Sequence, residues 1–222
     1  MISIKSINKV FESSDDSFYA LKDINFDIED GELVLVYGKS GSGKSTLLSI
    51  IASIMKPTDG AVYVDGENIV SYNDYFASLY RSKKVGIITQ SFHLFDLLSV
   101  DENIKIPLVL SKLSSKEIDK KVQDVAKLCN ISHKLKMPVK TLSGGERQRC
   151  TIARALINDP DIILCDEPTA NLDRSNALVF IDILKKLKSM GKTIVIATHD
   201  SVFEELDIVD RSLYMDSGEI VS

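Results

Sequence analysis

No apolar run in this sequence approaches the roughly 20 residues that a membrane-spanning helix needs, so any membrane role has to be borrowed from a partner. The opening Met1-Ile2-Ser3-Ile4-Lys5 reads as the start of an alternating strand, without the apolar block of a signal peptide. Cysteine is scarce: Cys129, Cys150 and Cys165 are odd in number and show no C-x-x-C spacing. That excludes a disulfide framework and favours buried, reduced thiols of a cytosolic protein over a metal site. Positive charge is also short, with 27 Lys and Arg against 32 Asp and Glu and a net charge of −5. Such a balance gives no nonspecific attraction to nucleic acid or to an anionic membrane surface, so no nucleic-acid partner is expected. Internal repeats and low-complexity tracts are missing too. What remains, at 222 residues with 44% hydrophobic and 27% charged, is an ordinary globular composition that suits one large α/β domain over residues 1–222.

The informative stretch is Gly38-Lys39-Ser40-Gly41-Ser42-Gly43-Lys44-Ser45-Thr46. It lies between the apolar run Leu33 to Tyr37 and Leu47-Leu48-Ser49-Ile50-Ile51, the strand, glycine loop, helix order that a G-x-x-x-x-G-K-[ST] phosphate loop requires. Glycines let successive backbone N–H groups close on phosphate oxygens, and a helix opening near Gly43 adds unpaired donors and a positive dipole end. Lys44 would reach the β- and γ-phosphates of a nucleotide, and the Ser45 hydroxyl would ligate Mg²⁺.

Strands are expected around Ile2 to Val10 and over Ala20 to Ile28, joined by an acidic turn from Glu12 to Ser17, as an antiparallel pair. Ala61 to Val64 reads as a further short strand, Asp74 to Ser82 as a short helix and Val85 to Ile88 as a buried strand. Between about 91 and 140 no strand pattern appears. Ser114 and Glu117 form a capping box ahead of Ile118, Val122, Val125 and Leu128, and Val100 to Leu110 is a second helix that Pro107 interrupts, so a helical insert is expected. The α/β pattern then resumes with a helix over Ser143 to Ile157, a strand over Ile162 to Cys165, a helix over Asp173 to Met190, a strand over Thr193 to Ala197 and a closing pair of strands within Ser212 to Val221. Such alternation implies a mostly parallel sheet with its ligand at the strands' carboxyl ends.

Two more stretches carry chemistry. Ile162 to Cys165 ends in Asp166-Glu167; behind a phosphate loop the first acid holds Mg²⁺ and the second activates the attacking water, although acids also follow buried strands simply where the chain meets solvent. In Leu142-Ser143-Gly144-Gly145-Glu146 a capping box accounts for Ser143 and Glu146. It does not account for two glycines in the first turn, each costing about 1 kcal/mol relative to alanine. Close approach of an anion to bare N–H groups does, which makes this a second phosphate-binding helix start, one more than a single nucleotide can use from one chain.

With those motifs in place, nearly the whole chain resembles the nucleotide-binding subunits of ABC transporters, and Leu142 to Glu146 followed by Arg147-Gln148-Arg149 is the most specific part of the resemblance. It implies a P-loop NTPase core with a mostly parallel sheet, an N-terminal antiparallel β subdomain and a helical insert subdomain. It further implies that Phe11 stacks on adenine, that Gln90 senses Mg²⁺ and the attacking water, and that Asp166 and Glu167 are the metal-site aspartate and catalytic base. Asn171-Leu172-Asp173 is similar to the loop that crosses the dimer interface, and His199 to the histidine at the γ-phosphate. The Asp166 to Asp173 run looks most like the lipoprotein-releasing and macrolide-export group, where Tyr37 departs from the usual small or aliphatic residue before the first loop glycine, and Cys150 from a branched aliphatic.

The expected activity is therefore ATP hydrolysis by two copies, each ATP lying between Gly38 to Thr46 of one and Ser143-Gly144-Gly145 of the other. Such a dimer would sit at the cytoplasmic face of the cell membrane through an integral permease. Ser91 to Leu98, five large apolar residues in eight, is the expected partner surface, with internal packing as the bland alternative. Rival readings are an ABC ATPase that regulates a membrane partner in cell division and, ranked last, a soluble assembly or DNA-repair ATPase.

Overall fold

The computed structural model describes residues 1–12, 17–204 and 206–221. The middle of the expected acidic turn, residues 13–16, lies outside them. Strands β1 (Ile2–Glu12) and β2 (Ser17–Ile28) pair antiparallel from Ile2 opposite Ile28 to Glu12 opposite Ser17. Ile2, Ile4, Leu21, Ile24 and Ile28 enter the core, and the odd spacing of Leu21 and Ile24 is accommodated by register shifts in the pairing with β1 and a positive φ at Asp23. Next come β3 (Leu33–Tyr37), helix α1 (Lys44–Ile51), β4 (Asp59–Val64) and β5 (Glu67–Asn68). β4 returns to β1, with Val64 opposite Ile2, and the order is β2-β1-β4-β5. The sequence marks β4 as a strand but not its partner, because pairing across two intervening strands and a helix leaves no local signal.

The second sheet is built from β3 together with β6 (Val85–Ile88), β7 (Ile162–Asp166), β8 (Thr193–Thr198), β9 (Arg211–Asp216) and β10 (Glu219–Ile220), in the order β10-β9-β3-β8-β7-β6. Only the edge strand β10 runs antiparallel. All the parallel strands therefore end along one rim, where β3 opens into the phosphate loop beside β8, and β7 follows next. Helix α2 (Asp74–Lys84) leads into β6. Helices α3 (Val100–Lys105), α4 (Ser115–Leu128) and α5 (Gly144–Leu156) lie between β6 and β7, and α6 (Arg174–Ser189) between β7 and β8. Pro107 acts as anticipated: α3 stops at Lys105 and one 3-10 turn, Ile106–Leu108, takes over.

The strands are apolar on both sides, as parallel strands covered on both faces must be. Val34, Val36, Leu164 and Val195 point into one core with Leu47, Leu48 and Ile50 of α1 and the N-terminal sheet. Leu35, Ile163, Cys165, Ile194 and Ile196 point into the other, with Cys150, Ile152 and Ala153 of α5 and Phe180 and Leu184 of α6. Helices α1 and α5 thus cover opposite faces. All three thiols are buried, and burial pushes those of Cys129 and Cys150 up to about 12, so they stay protonated.

Asp210 pins the entry to this sheet. Its Oδ2 accepts the Leu33 N–H at 2.6 Å and pairs with Lys188 of α6. Partial burial works to raise this carboxyl, yet the Leu33 amide and the Lys188 ammonium outweigh it and hold it below the usual aspartate range. A depressed carboxylate stabilises the fold above its unfolded pKa, and that contribution is lost as pH falls through the folded one. Asp210→Asn is expected to lower the melting temperature at pH 7 by about 2–4 °C, a loss near 1 kcal/mol in a domain of this size. The gap between variant and wild type should close in acid below about pH 4; a gap indifferent to acid would assign the effect to shape alone.

Candidate functional site

The phosphate loop is shaped by close contact. Gly43 takes φ 105° as the cap of α1, and no side chain caps that helix, so its first N–H groups point outward unpaired. A methyl group there would lie 2.4 Å from the Ala20 carbonyl oxygen, which is why β2 can press against the loop only at a glycine. Gly38 leaves β3, Lys39, Ser40 and Gly41 form the exposed crest, and Thr46 continues into α1. Ser42 Oγ is buried without a partner among the described residues.

Lys44 is 5% exposed, and its Nζ donates to the carbonyls of Gly38 at 2.6 Å and Lys39 at 3.1 Å. It also lies 3.4 Å from Glu167 Oε1. Ser45 Oγ donates to Asp166 Oδ1 at 2.8 Å. Burial raises the Asp166 carboxyl above the usual range; the Ser45 hydroxyl and Lys44 oppose this, and Glu167 adds to it. A hydroxyl beside a carboxylate whose charge is penalised by burial is a hard-oxygen pair suited to Mg²⁺, and the unpaired N–H groups of α1 with the Lys44 ammonium suit a polyphosphate.

Glu167 is the hub. It has φ 46°, uncommon outside glycine, and its N–H is held by the Ala197 carbonyl at 2.8 Å. The carboxylate, 15% exposed, meets Lys44, the His199 Nδ1 at 2.9 Å and the Thr198 hydroxyl at 3.5 Å. The tips of three neighbouring strands, β3, β8 and β7, thus deliver Lys44, His199 and Glu167 to one point.

The other expected residues are apart from this point. Phe11 is half-buried opposite Phe18, the rings stacked at 5.5 Å, with Lys9 Nζ 5.1 Å from the Phe11 centroid. Gln90 is exposed beyond β6, and its carbonyl accepts Asn171 Nδ2 at 3.2 Å. Ser143 caps α5 in a capping box with Glu146, whose carboxyl is held below its usual range by the Ser143 backbone N–H and by Lys134. Gly144 is exposed, with only the Asn171 carbonyl near, 3.9 Å from a methyl added there. Gly145 is different: a methyl would lie 1.9 Å from Asn176 Oδ1. Glycine at 145 thus has a reason besides an approaching anion, since it makes room for a neighbouring side chain, whereas Gly144 has no such neighbour. Asp173 gives its carboxylate to its own helix, accepting from Asn176 N at 2.9 Å and Ser175 Oγ at 2.7 Å.

Sequence reasoning does not single out Asn176, Asn103 or Arg154. Asn176 Oδ1 accepts Arg149 Nη1 at 2.9 Å while its Nδ2 donates to Asp173, locking the first turn of α6 to α5. Asn103, fully buried, bonds both the N–H and the carbonyl of Phe95. Arg154 donates to the carbonyls of Phe92 at 2.8 Å and His93 at 2.7 Å, fixing that loop to α5. Asn103 and Arg154 serve the backbone of another segment and Asn176 ties two side chains together, contacts that no spacing rule reveals.

A lysine and serine of a glycine loop, meeting paired acids at the tip of a parallel strand, define a P-loop NTPase. A family model described as ABC transporter matches residues 21–170, and the chain belongs to that family as an ATP-binding, ATP-hydrolysing subunit. It is 38% identical to an uncharacterized ABC transporter ATP-binding protein of Methanocaldococcus jannaschii, MJ0796, over 99% of this chain and 95% of that one. The lipoprotein-releasing system ATP-binding protein LolD of Pseudoalteromonas translucida is 34% identical over 99% of this chain and 94% of its own. A dimeric structure of the MJ0796 cassette superposes with TM-score 0.92 at 37% identity, covering 100% of this chain and 97% of that chain. A dimeric post-hydrolysis state of the same cassette bound to ADP and Pi gives TM-score 0.92 at 36% identity, with the same coverage.

Proposed function

We propose that two copies of this chain close head to tail around two ATP molecules and drive an integral membrane permease of an export, lipoprotein, drug or peptide type. The observation that carries the reading is the placement of the two glycine-bearing helix starts. α1 packs on one face of the central sheet and α5 on the other, so the exposed N–H groups at Gly144 are not aimed at the Lys44 site of their own chain. A second copy brings them together, as the dimeric form of the MJ0796 cassette supports.

In that arrangement Lys44 and the N–H groups of Gly38, Lys39, Ser40, Gly41, Ser42, Gly43, Ser45 and Thr46 bind the phosphates, and Phe11 stacks on adenine. Ser45, Asp166 and Gln90 hold Mg²⁺, which offsets phosphate charge when bound. Glu167 takes a proton from the water that attacks the γ-phosphorus as ADP leaves, and His199, bonded to Glu167 through Nδ1 at 2.9 Å, contacts the γ-phosphate. Ser143, Gly144 and Gly145 of the second copy complete the cradle, with Glu146 capping their helix and Asp173 ordering the loop at the interface. Sedimentation of the chain with MgATP is the deciding measurement: a dimer is expected, and a chain that stays monomeric would count against the shared site.

The helical part over about 91–140 is the subdomain that meets the permease on the cytoplasmic side. Ser91 to Leu98 divides there: Leu94 packs against the core, whereas Phe95 is 57% and Leu97 80% exposed. Phe95→Asp is expected to leave ATP binding within about twofold, since this is a surface change far from the phosphate loop, and to abolish co-purification with the permease. Undiminished co-purification would remove this surface from the interface.

A further inference from the structure

Tyr37, the large residue that stands directly before the phosphate loop, donates its hydroxyl to the His199 carbonyl oxygen at 2.7 Å. We propose that Tyr37 is a positioning residue that fixes the main chain of His199 and so aims the imidazole at the reacting phosphate. The inference rests on the reading of His199 as a phosphate contact. In the sheet Tyr37 lies between Thr198 of β8 and Tyr214 of β9. Its ring meets that of Tyr214 edge-on at 5.6 Å, and the Tyr214 hydroxyl turns away to Glu204 at 3.3 Å. Strand position and ring packing therefore leave the Tyr37 hydroxyl directed over the end of β8.

The chain on the far side of His199 is held as well. The Asp200 N–H donates to Thr198 Oγ1 at 3.0 Å, and the Asp200 carboxylate accepts the Thr169 hydroxyl at 2.8 Å and the Val202 N–H at 3.1 Å. With the His199 carbonyl tied to Tyr37 and the next residue tied to Thr169, the peptide flanking His199 is fixed on both sides. From that fixed peptide the imidazole, 61% exposed, extends to the Glu167 carboxylate 2.9 Å from its Nδ1. Rotating the His199 peptide would carry Nδ1 away from Glu167, so the hydroxyl of Tyr37 keeps the base and the histidine in register. Burial first, then the carboxylates of Glu204, Asp200 and Glu167, raise the pKa of this hydroxyl, which stays a donor. An aliphatic residue at position 37 offers no donor to that carbonyl.

The test is steady-state hydrolysis of MgATP by the full chain. Tyr37→Phe keeps the ring and removes the bond, and is expected to lower kcat by roughly fivefold to tenfold, the effect of one neutral hydrogen bond, with KM within twofold and Tm lower by no more than about 2–4 °C. Tyr214→Phe removes the neighbouring hydroxyl and should leave kcat as in the wild type. The chain has three histidines, so ¹³C-labelled imidazole signals can be assigned by substitution; in Tyr37→Phe the His199 signal alone should shift. Wild-type kcat in Tyr37→Phe, equal losses in both tyrosine variants, or an unmoved His199 signal would overturn the proposal. His199→Ala in the same assay separates the two levels: full turnover there defeats the phosphate-contact reading itself, whereas collapsed turnover with an active Tyr37→Phe defeats only the role of Tyr37.

Discussion

Glu167→Gln is expected to bind MgATP as the wild type does, to lose turnover by about a hundredfold to ten-thousandfold, and to sediment as a dimer that does not dissociate. The amide is nearly isosteric with the carboxylate, and an amide oxygen can still face Lys44 Nζ where the carboxylate stands 3.4 Å away. What it cannot do is take a proton from water. The positive φ of Glu167 and its N–H bond to Ala197 belong to the backbone, so the substitution leaves the turn intact. A chain that stays monomeric with MgATP at micromolar concentration would argue against the shared site, whatever its rate of hydrolysis.

Gly145→Ala should give the opposite pattern, with ATP bound but no stable dimer and turnover down at least tenfold. Elsewhere an alanine in a first helical turn would stabilise the helix by up to about 1 kcal/mol. Here its methyl falls 1.9 Å from Asn176 Oδ1. That amide cannot swing aside freely, because it is bonded to Arg149 on one side and to Asp173 on the other. The clash must displace α5, and with it the N–H groups at Gly144. Combining the change with Asn176→Ala removes the obstacle and should restore part of the dimerisation. If Gly145→Ala alone dimerises normally, the first turn of α5 has more play than these bonds allow.

The architecture was legible wherever burial left a local mark, a regular period in α4 or a continuous apolar run in β3, β7 and β8. β1, β3, β7 and β8, α4 with its capping box and the truncation of α3 at Pro107 all follow from local pattern. The phosphate loop, Asp166-Glu167 and Ser143 to Glu146 were legible for a different reason: backbone chemistry ties their residue types to fixed spacing. The return of β4 to β1 was not, nor were the bonds of Asn103, Asn176 and Arg154, since a side chain that bonds another segment of the chain leaves no period. Gly145 shows the limit most clearly. From sequence its glycine looks like room for a ligand, and only the position of Asn176 reveals room for a neighbour.

Arg154 has a mechanical consequence. Its guanidinium holds the carbonyls of both Phe92 and His93, and burial depresses its pKa, a sign of how little water reaches it. Pulling the loop off α5 would break both of these bonds from a charged donor, each worth about 1.5–3 kcal/mol. Loop and helix therefore share one set of rigid-body coordinates. In the proposed assembly a push on this loop would reach Gly144 as rotation of a stiff rod, with Arg154 as the rivet; loosening that rivet would leave both ends intact and the stroke between them lost.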